Sequence, residues 1–141
     1  MAKLSLKDEA LKKTIALPSA ASSSVTTAAF RLKSGEDIAG GFYAECELEI
    51  DVPALSATIL PATGKITIEV QTTDTDDATG WEAAETLTVK EIEGGTSGGS
   101  DAQEIRYRFP TGVKKYARVK ASTNAIATDA SSVTMTVWLV F

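Results

Sequence analysis

The sequence predicts an all-β fold: an antiparallel β-sandwich of jelly-roll or Greek-key type with about eight strands, preceded by a short N-terminal arm. Three observations lead there. Beyond residue 24, apolar residues recur at every second position, the period of a strand with one buried face. The alternating runs are separated by clusters of Gly, Pro, Asn and Asp, which supply turn chemistry. No internal stretch shows a convincing helical period. The division expected is an arm at residues 1–24 and one sandwich domain at residues 25–141.

The arm reads as a short helix. Ser5 followed by Asp8 allows an N-cap with an acid in the first turn. Leu11 and Ile15, at i and i+4, share a face, and Lys12 and Lys13 sit near the C-terminal end, where cations are favoured. Pro18 stops it, and Ser19–Ser24 is a small, polar run. About 10 residues make a marginal helix alone, so the arm is expected to be ordered by lying on something else.

The strands follow. Phe42, Ala44, Cys46, Leu48 and Ile50 alternate with Tyr43, Glu45, Glu47 and Glu49. Ile66, Ile68 and Val70 alternate with Lys65, Thr67, Glu69 and Gln71, and Leu87 and Val89 with Thr86, Thr88 and Lys90. Ala117, Val119 and Ala121 alternate with Tyr116, Arg118 and Lys120. The clearest is the last, with Val133, Met135, Val137, Leu139 and Phe141 on one face and Thr134, Thr136, Trp138 and Val140 on the other. Shorter candidates are Val25–Leu32, Ala54–Leu60 and Ile105–Phe109. Eighteen threonines suit half-buried pleated surfaces. The turns fall at Lys33–Asp37, Pro61–Gly64, Asp74–Gly80, Glu93–Asp101, Pro110–Gly112 and Ser122–Ser132.

Composition removes several enzyme classes. The chain has 141 residues, 43% of them hydrophobic, with no histidine and one cysteine. One domain of that size closes a real core. Without histidine, Ser-His-Asp, Cys-His and His-metal sites are excluded. A lone Cys46 builds no disulfide or thiolate-zinc framework, and it lies on an apolar strand face as a buried thiol. The opening stretch lacks the apolar run of a signal peptide, and no segment approaches the roughly 20 apolar residues of a membrane span. The expectation is a protein made in a cytoplasm, with no membrane partner.

The net charge of −5 is segregated. Residues 1–33 carry +4, residues 34–104 carry −14 and residues 105–141 carry +5. One fold with strands of alternating sign produces this, and so does a chain that docks its ends on acidic neighbours. The lack of net positive charge argues against nucleic acid as the main partner.

Three groups invite chemistry. Glu45, Glu47 and Glu49 place carboxylates about 6.5–7 Å apart along one strand side, which overlaps a glycosidase pair, but the row also reads as a solvated or ion-paired face. Asp74, Asp76 and Asp77 with Gly80 and Glu85 suggest calcium, yet Ala78 and Thr79 break the EF-hand pattern, and an exposed hairpin loop is the simpler reading. Glu93–Asp101 is glycine-rich but lacks the Lys-Ser/Thr of a phosphate loop, and it reads as mobile. Trp138, on the polar side of the last strand, is either covered by a loop or a protein contact. Stacking on a sugar would need a second aromatic, such as Tyr43, Trp81, Tyr107 or Tyr116.

The stretch from Arg106 to Ala121, RYRFPTGVKKYARVKA, resembles one found in capsid decoration (cement) proteins of tailed bacteriophages, where a strand ends in an R-F/L-P turn and a K/R-Y-x-R-V strand follows. The segments ALPSAAS and TGKITIEVQTTDTDD and the apolar final strand are similar too. The resemblance implies a jelly-roll-like homodimer or trimer on the outer surface of a virion. It would be non-enzymatic and free of cofactor, with the major capsid protein as partner. On that reading, the contact residues expected are Lys3, Leu4, Lys7, Leu11, Lys12, Lys13 and Ile15 of the arm, the basic Lys114, Lys115, Arg118 and Lys120, and Trp138. The alternatives are a carbohydrate- or receptor-binding sandwich of a spike or fibre, and a hydrolase using the Glu45–Glu49 row.

Overall fold

A computed structural model describes residues 7–32, 47–110 and 113–140, with the backbone alone for 7–10. Among them, nine strands form two antiparallel sheets. The first contains β1 (Lys7–Ala16), β9 (Thr134–Val140), β4 (Glu47–Val52) and β7 (Gln103–Arg108), in that order. In the second, β2 (Ser24–Thr26) and β3 (Phe30–Arg31) both pair with β8 (Tyr116–Thr123), which is followed by β5 (Lys65–Thr73) and β6 (Glu85–Glu93). The pairs are nested: β1 with β9, β2 and β3 with β8, β4 with β7, β5 with β6. A long hairpin folded over on itself has this connectivity, which is that of a jelly roll.

The predicted alternation places the core. Leu48, Ile50 and Val52, Ile66, Ile68 and Val70, Ala117, Val119 and Ala121, and Met135, Val137 and Leu139 are all buried between the sheets. Each large aliphatic side chain contributes roughly 1.5–3 kcal/mol by leaving water. The predicted residues Phe42–Cys46, Phe141, the Lys33–Asp37 turn and Thr111–Gly112 lie outside the described residues.

Five expectations are corrected. The N-terminal segment is a strand from Lys7, not a helix, and it belongs to the sandwich. An i, i+4 spacing is even, so Leu11 and Ile15 share a strand face as readily as a helical one. Leu11, Lys13, Ile15 and Leu17 in fact step by two, with Ile15 opposite Met135 and Leu17 buried. Pairing with β9 supplies long-range backbone bonds that a helix of about 10 residues lacks.

Ala54–Leu60 is not a strand. Pro53 offers no N–H, Leu55 makes one isolated bridge to Ser100, and the Leu60 N–H turns back to the Ser56 carbonyl at 2.9 Å. The Asp74–Gly80 loop carries a short helix, α1 (Ala78–Glu82), whose N-cap is Asp77. The segment Val25–Leu32 splits at Thr27, whose N–H donates to the Val119 carbonyl while its hydroxyl accepts from the Val119 N–H.

The glycine-rich loop is folded rather than loose. Gly98 and Gly99 adopt φ of 80° and 79°, and the Gly99 N–H reaches the Leu60 carbonyl at 2.6 Å. Gly94 packs so close that a Cβ there would lie 2.2 Å from the Pro61 carbonyl oxygen. Asn124 fastens the same end: its Oδ1 accepts from Lys65, Ile126 and Ala127 N–H groups, and its amide donates to the Thr63 carbonyl.

Urea denaturation checks both packings. Leu139→Ala, at 1% exposure, is expected to lower stability by about 2–5 kcal/mol. Gly94→Ala is expected to lower it by about 1–3 kcal/mol, because the obstacle is backbone that cannot swing away.

Candidate functional site

Strand alternation puts Glu47, Glu49 and Asp51 of β4 on the outer side of the first sheet, since Leu48, Ile50 and Val52 face the core. Register then builds a row across all four strands. Lys12 of β1 stands opposite Trp138 of β9, Trp138 opposite Glu49 of β4, and Glu49 opposite Arg106 of β7. The Lys12 ammonium lies 4.9 Å from the Trp138 ring centroid, a cation–π geometry. Arg106 contacts three acids: Glu47 at 3.0 Å, Glu49 at 3.3 Å and Glu104 at 3.2 Å. The hydrogen bond it donates to Glu104, and next the charge of Glu49, hold its guanidinium more firmly protonated than usual. Glu49 is only 2% exposed although it points away from the core.

The acidic row is therefore an ion-paired face. Glu45 lies outside the described residues, and Glu47 and Glu49 share one guanidinium. Glu49, Asp51 and Glu104 bring carboxylate oxygens within 4.8 Å of one another, close enough for a hard cation. A cation there would compete with Arg106, which already touches two of the three.

The second sheet carries the other charged face. Arg118 lies 4.2 Å over the Trp81 ring of α1 and donates to Gln71 Oε1 at 2.8 Å. Burial pulls its pKa down, and the charge of Asp76 opposes that shift. Lys120 stands opposite Glu69 on β5 and Thr26 on β2. Lys114 reaches Glu85 at 3.6 Å, and Lys65 bridges Glu91 and Glu93 at 3.4 and 3.3 Å. The segregated charges of the sequence thus meet in space: basic chain ends lie beside the acidic middle.

The calcium candidates do not converge. Asp74 accepts from the Lys115 N–H at 3.1 Å, Asp76 from the Trp81 indole at 2.8 Å, and Asp77 from the Gly80 N–H at 2.7 Å.

The expected contact residues fall on two opposite faces. Lys12 and Trp138 lie on the first sheet, with Leu11 and Ile15 packed beneath against the core. Lys13, opposite the inward Val137, places its ammonium 5.7 Å from the Phe30 ring at the core's rim. Lys114, Lys115, Arg118 and Lys120 belong to the second sheet and its approach loop. Lys7 pairs with Val140 through its backbone, and Lys3 and Leu4 lie outside the described residues.

Arg106 is the organising residue that the sequence reading passed over; it joins groups 57 and 59 positions away. A cleft of about 360 Å³ opens between β6 and β7, lined by Val70, Leu87, Tyr107, Val113 and Thr72, with Glu85 as its one acid. Burial raises the Tyr107 phenol above its ordinary pKa. Comparison with protein-family models, curated proteins and solved structures finds no match.

Removing Arg106 leaves Glu49 buried beside other acids. Arg106→Met is expected to shift the urea midpoint down, and the double variant with Glu49→Met to recover most of the loss. A double-mutant cycle reads the coupling.

Proposed function

We propose that this chain is a non-enzymatic virion structural protein that binds the outer surface of a phage capsid and bridges neighbouring capsid subunits. The observation that supports it most is the outer face of the first sheet. A half-buried tryptophan, Trp138, sits at its centre, flanked by Lys12 and by the Glu47–Glu49–Arg106–Glu104 pairs. An aromatic anchor within a charged surround has the make-up of a protein contact site. The segment Arg106–Ala121, which carries the family resemblance, crosses from the edge of this sheet to the centre of the other through buried Phe109 and Val113.

The physical task fits contact chemistry. A packaged genome pushes a shell outward, and a protein that binds the assembled lattice but not free subunits stabilises the lattice by mass action. The partner on this reading is the major capsid protein, and the site of synthesis is the host cytoplasm. The basic residues of the second sheet already lie beside Gln71, Glu69 and Glu85, which turns the reading toward the Trp138 face. A sugar-binding role would need a bare aromatic platform, whereas both tryptophans carry a cation over the ring.

The test is co-sedimentation of purified protein with expanded and unexpanded heads of the phage that encodes it. Binding to expanded heads alone is expected. Trp138→Ala is expected to weaken it about 30-fold, the effect of losing roughly 2 kcal/mol at an anchor. Failure to bind either form sinks the proposal, and glycan binding that quenches tryptophan fluorescence would replace it.

A further inference from the structure

Four strand edges bound the two sheets among the described residues, and three are blunted. β1 is broken by an irregularity between Lys7 and Lys12. β2 and β3 are three and two residues long. β7 turns Glu104, Arg106 and Arg108 outward and runs into Phe109 and Pro110. Short edges, charges, proline and bulges are the usual guards against pairing. β6 also carries charges and a bulge, but of its nine residues all except Val89 keep a partner on β5, and from Glu85 to Glu91 all but the half-buried Val89 are exposed. Leu87 is 51% exposed, one of two large apolar side chains so placed among the described residues.

We infer that β6 is the edge at which a second copy of this chain adds, antiparallel, across a twofold axis between Thr88 and Val89. The register follows from which side each residue takes. Pairing with β5 puts Glu85, Leu87, Lys90 and Ile92 on the inner side, because they oppose Thr72, Val70, Ile68 and Ile66. Thr86, Thr88 and Glu91 take the outer side, and the bulge leaves Val89 without an opposite residue on β5. A β6–β6 pairing keeps like sides opposite when Glu85 faces Ile92 of the other copy, Thr86 faces Glu91 and Leu87 faces Lys90; at the axis the bulge sets outer Thr88 against Val89, which packs toward the core.

That register places no like charges directly opposite. It sets Glu85 diagonal to Lys90 of the other copy, twice by symmetry, within reach of long side chains. The Lys90 stem also lies over Leu87 and covers its apolar surface. Within the chain Glu91 and Glu93 have Lys65, and Glu85 has Lys114 at 3.6 Å, to which the diagonal contact would add Lys90 of the other copy. A second copy therefore satisfies backbone, apolar and charge requirements with one motion.

Sedimentation equilibrium over a concentration series tests this on the full chain. The wild type is expected to be a dimer in equilibrium with monomer, and Leu87→Asp to weaken it more than tenfold. A charge swap supplies the sharper arm. Lys90→Glu alone and Glu85→Lys alone are each expected to be monomeric, because each faces like charges in its own dimer. Mixed, they are expected to form a heterodimer, since every diagonal pair is again of opposite sign. A wild type that stays monomeric, a trimer, variants that dimerise like the wild type, or a mixture that stays monomeric each overturns the inference. It does not rest on the capsid reading: a dimer that fails to bind heads removes that reading and leaves this one standing.

Discussion

The central strands of both sheets are the constraint on which the structure depends. A strand inside a sheet must have backbone partners on both edges and apolar side chains on its core face. In the first sheet β9 lies between β1 and β4, and in the second β8 lies between β2 and β5. Both come from the end of the chain. Neither sheet is complete until the last quarter of the sequence has been laced between strands from its beginning and its middle. Loop closure over such separations must be met before the contacts form, so folding of this topology is expected to be dominated by non-local steps.

The same lacing accounts for the charge distribution. Basic residues near the chain ends and acidic residues in the middle look polarised along the sequence. Once β7, β8 and β1 are set beside β4, β5 and β9, the polarity becomes local alternation. Arg106 meets Glu47 and Glu49, Lys120 stands opposite Glu69, and Lys114 reaches back to Glu85. The exposed pairs contribute little to stability. Glu49 differs because it is buried, and a buried carboxylate needs its cation. On the outer face of the first sheet the described charges are paired around a central aromatic.

Much of the fold was legible because period two is a strong signal when it is long. Val133 to Leu139 and Lys65 to Gln71 announced which face would be buried, and the structure places them so. Where the signal was short or even-numbered it misled. Leu11 and Ile15 satisfied two periods at once, and only β9, more than 100 positions away, decides between them. Ala54–Leu60 has buried leucines at each end but bends between them. The glycines of 93–101 suggested mobility, whereas their positive φ values and close approaches fit one folded path. β6 alternated in sequence, yet from Glu85 to Thr88 both of its sides are exposed, and only Val89 and Ile92 pack toward the core. Trp138 could be placed on an outer face from the sequence. Its row with Lys12, Glu49 and Arg106 could not, since register between distant strands is set by the closed fold rather than by local pattern.

Two tryptophans in two settings show how far local chemistry shapes what each face can do. Trp81 is held by Asp76 through its indole N–H and lies under Arg118, which is anchored in turn on Gln71. The Gln71 amide in turn donates to the Thr86 hydroxyl, so the arrangement fastens α1 to β8, β5 and β6. Trp138 has a different support. It stands in mid-sheet with Lys12 over its ring and Glu49 beside it, on strands whose other faces form the core. A ring fixed by the sheet beneath it loses little rotamer freedom when a partner covers it, which is the condition under which an aromatic contributes most to binding. The lysine above it is long enough to move aside. The rigidity of the jelly roll and the placement of one aromatic on its outer face are thus a single property, set by the alternation that also buries Val137 and Leu139 on the other side of the same strand.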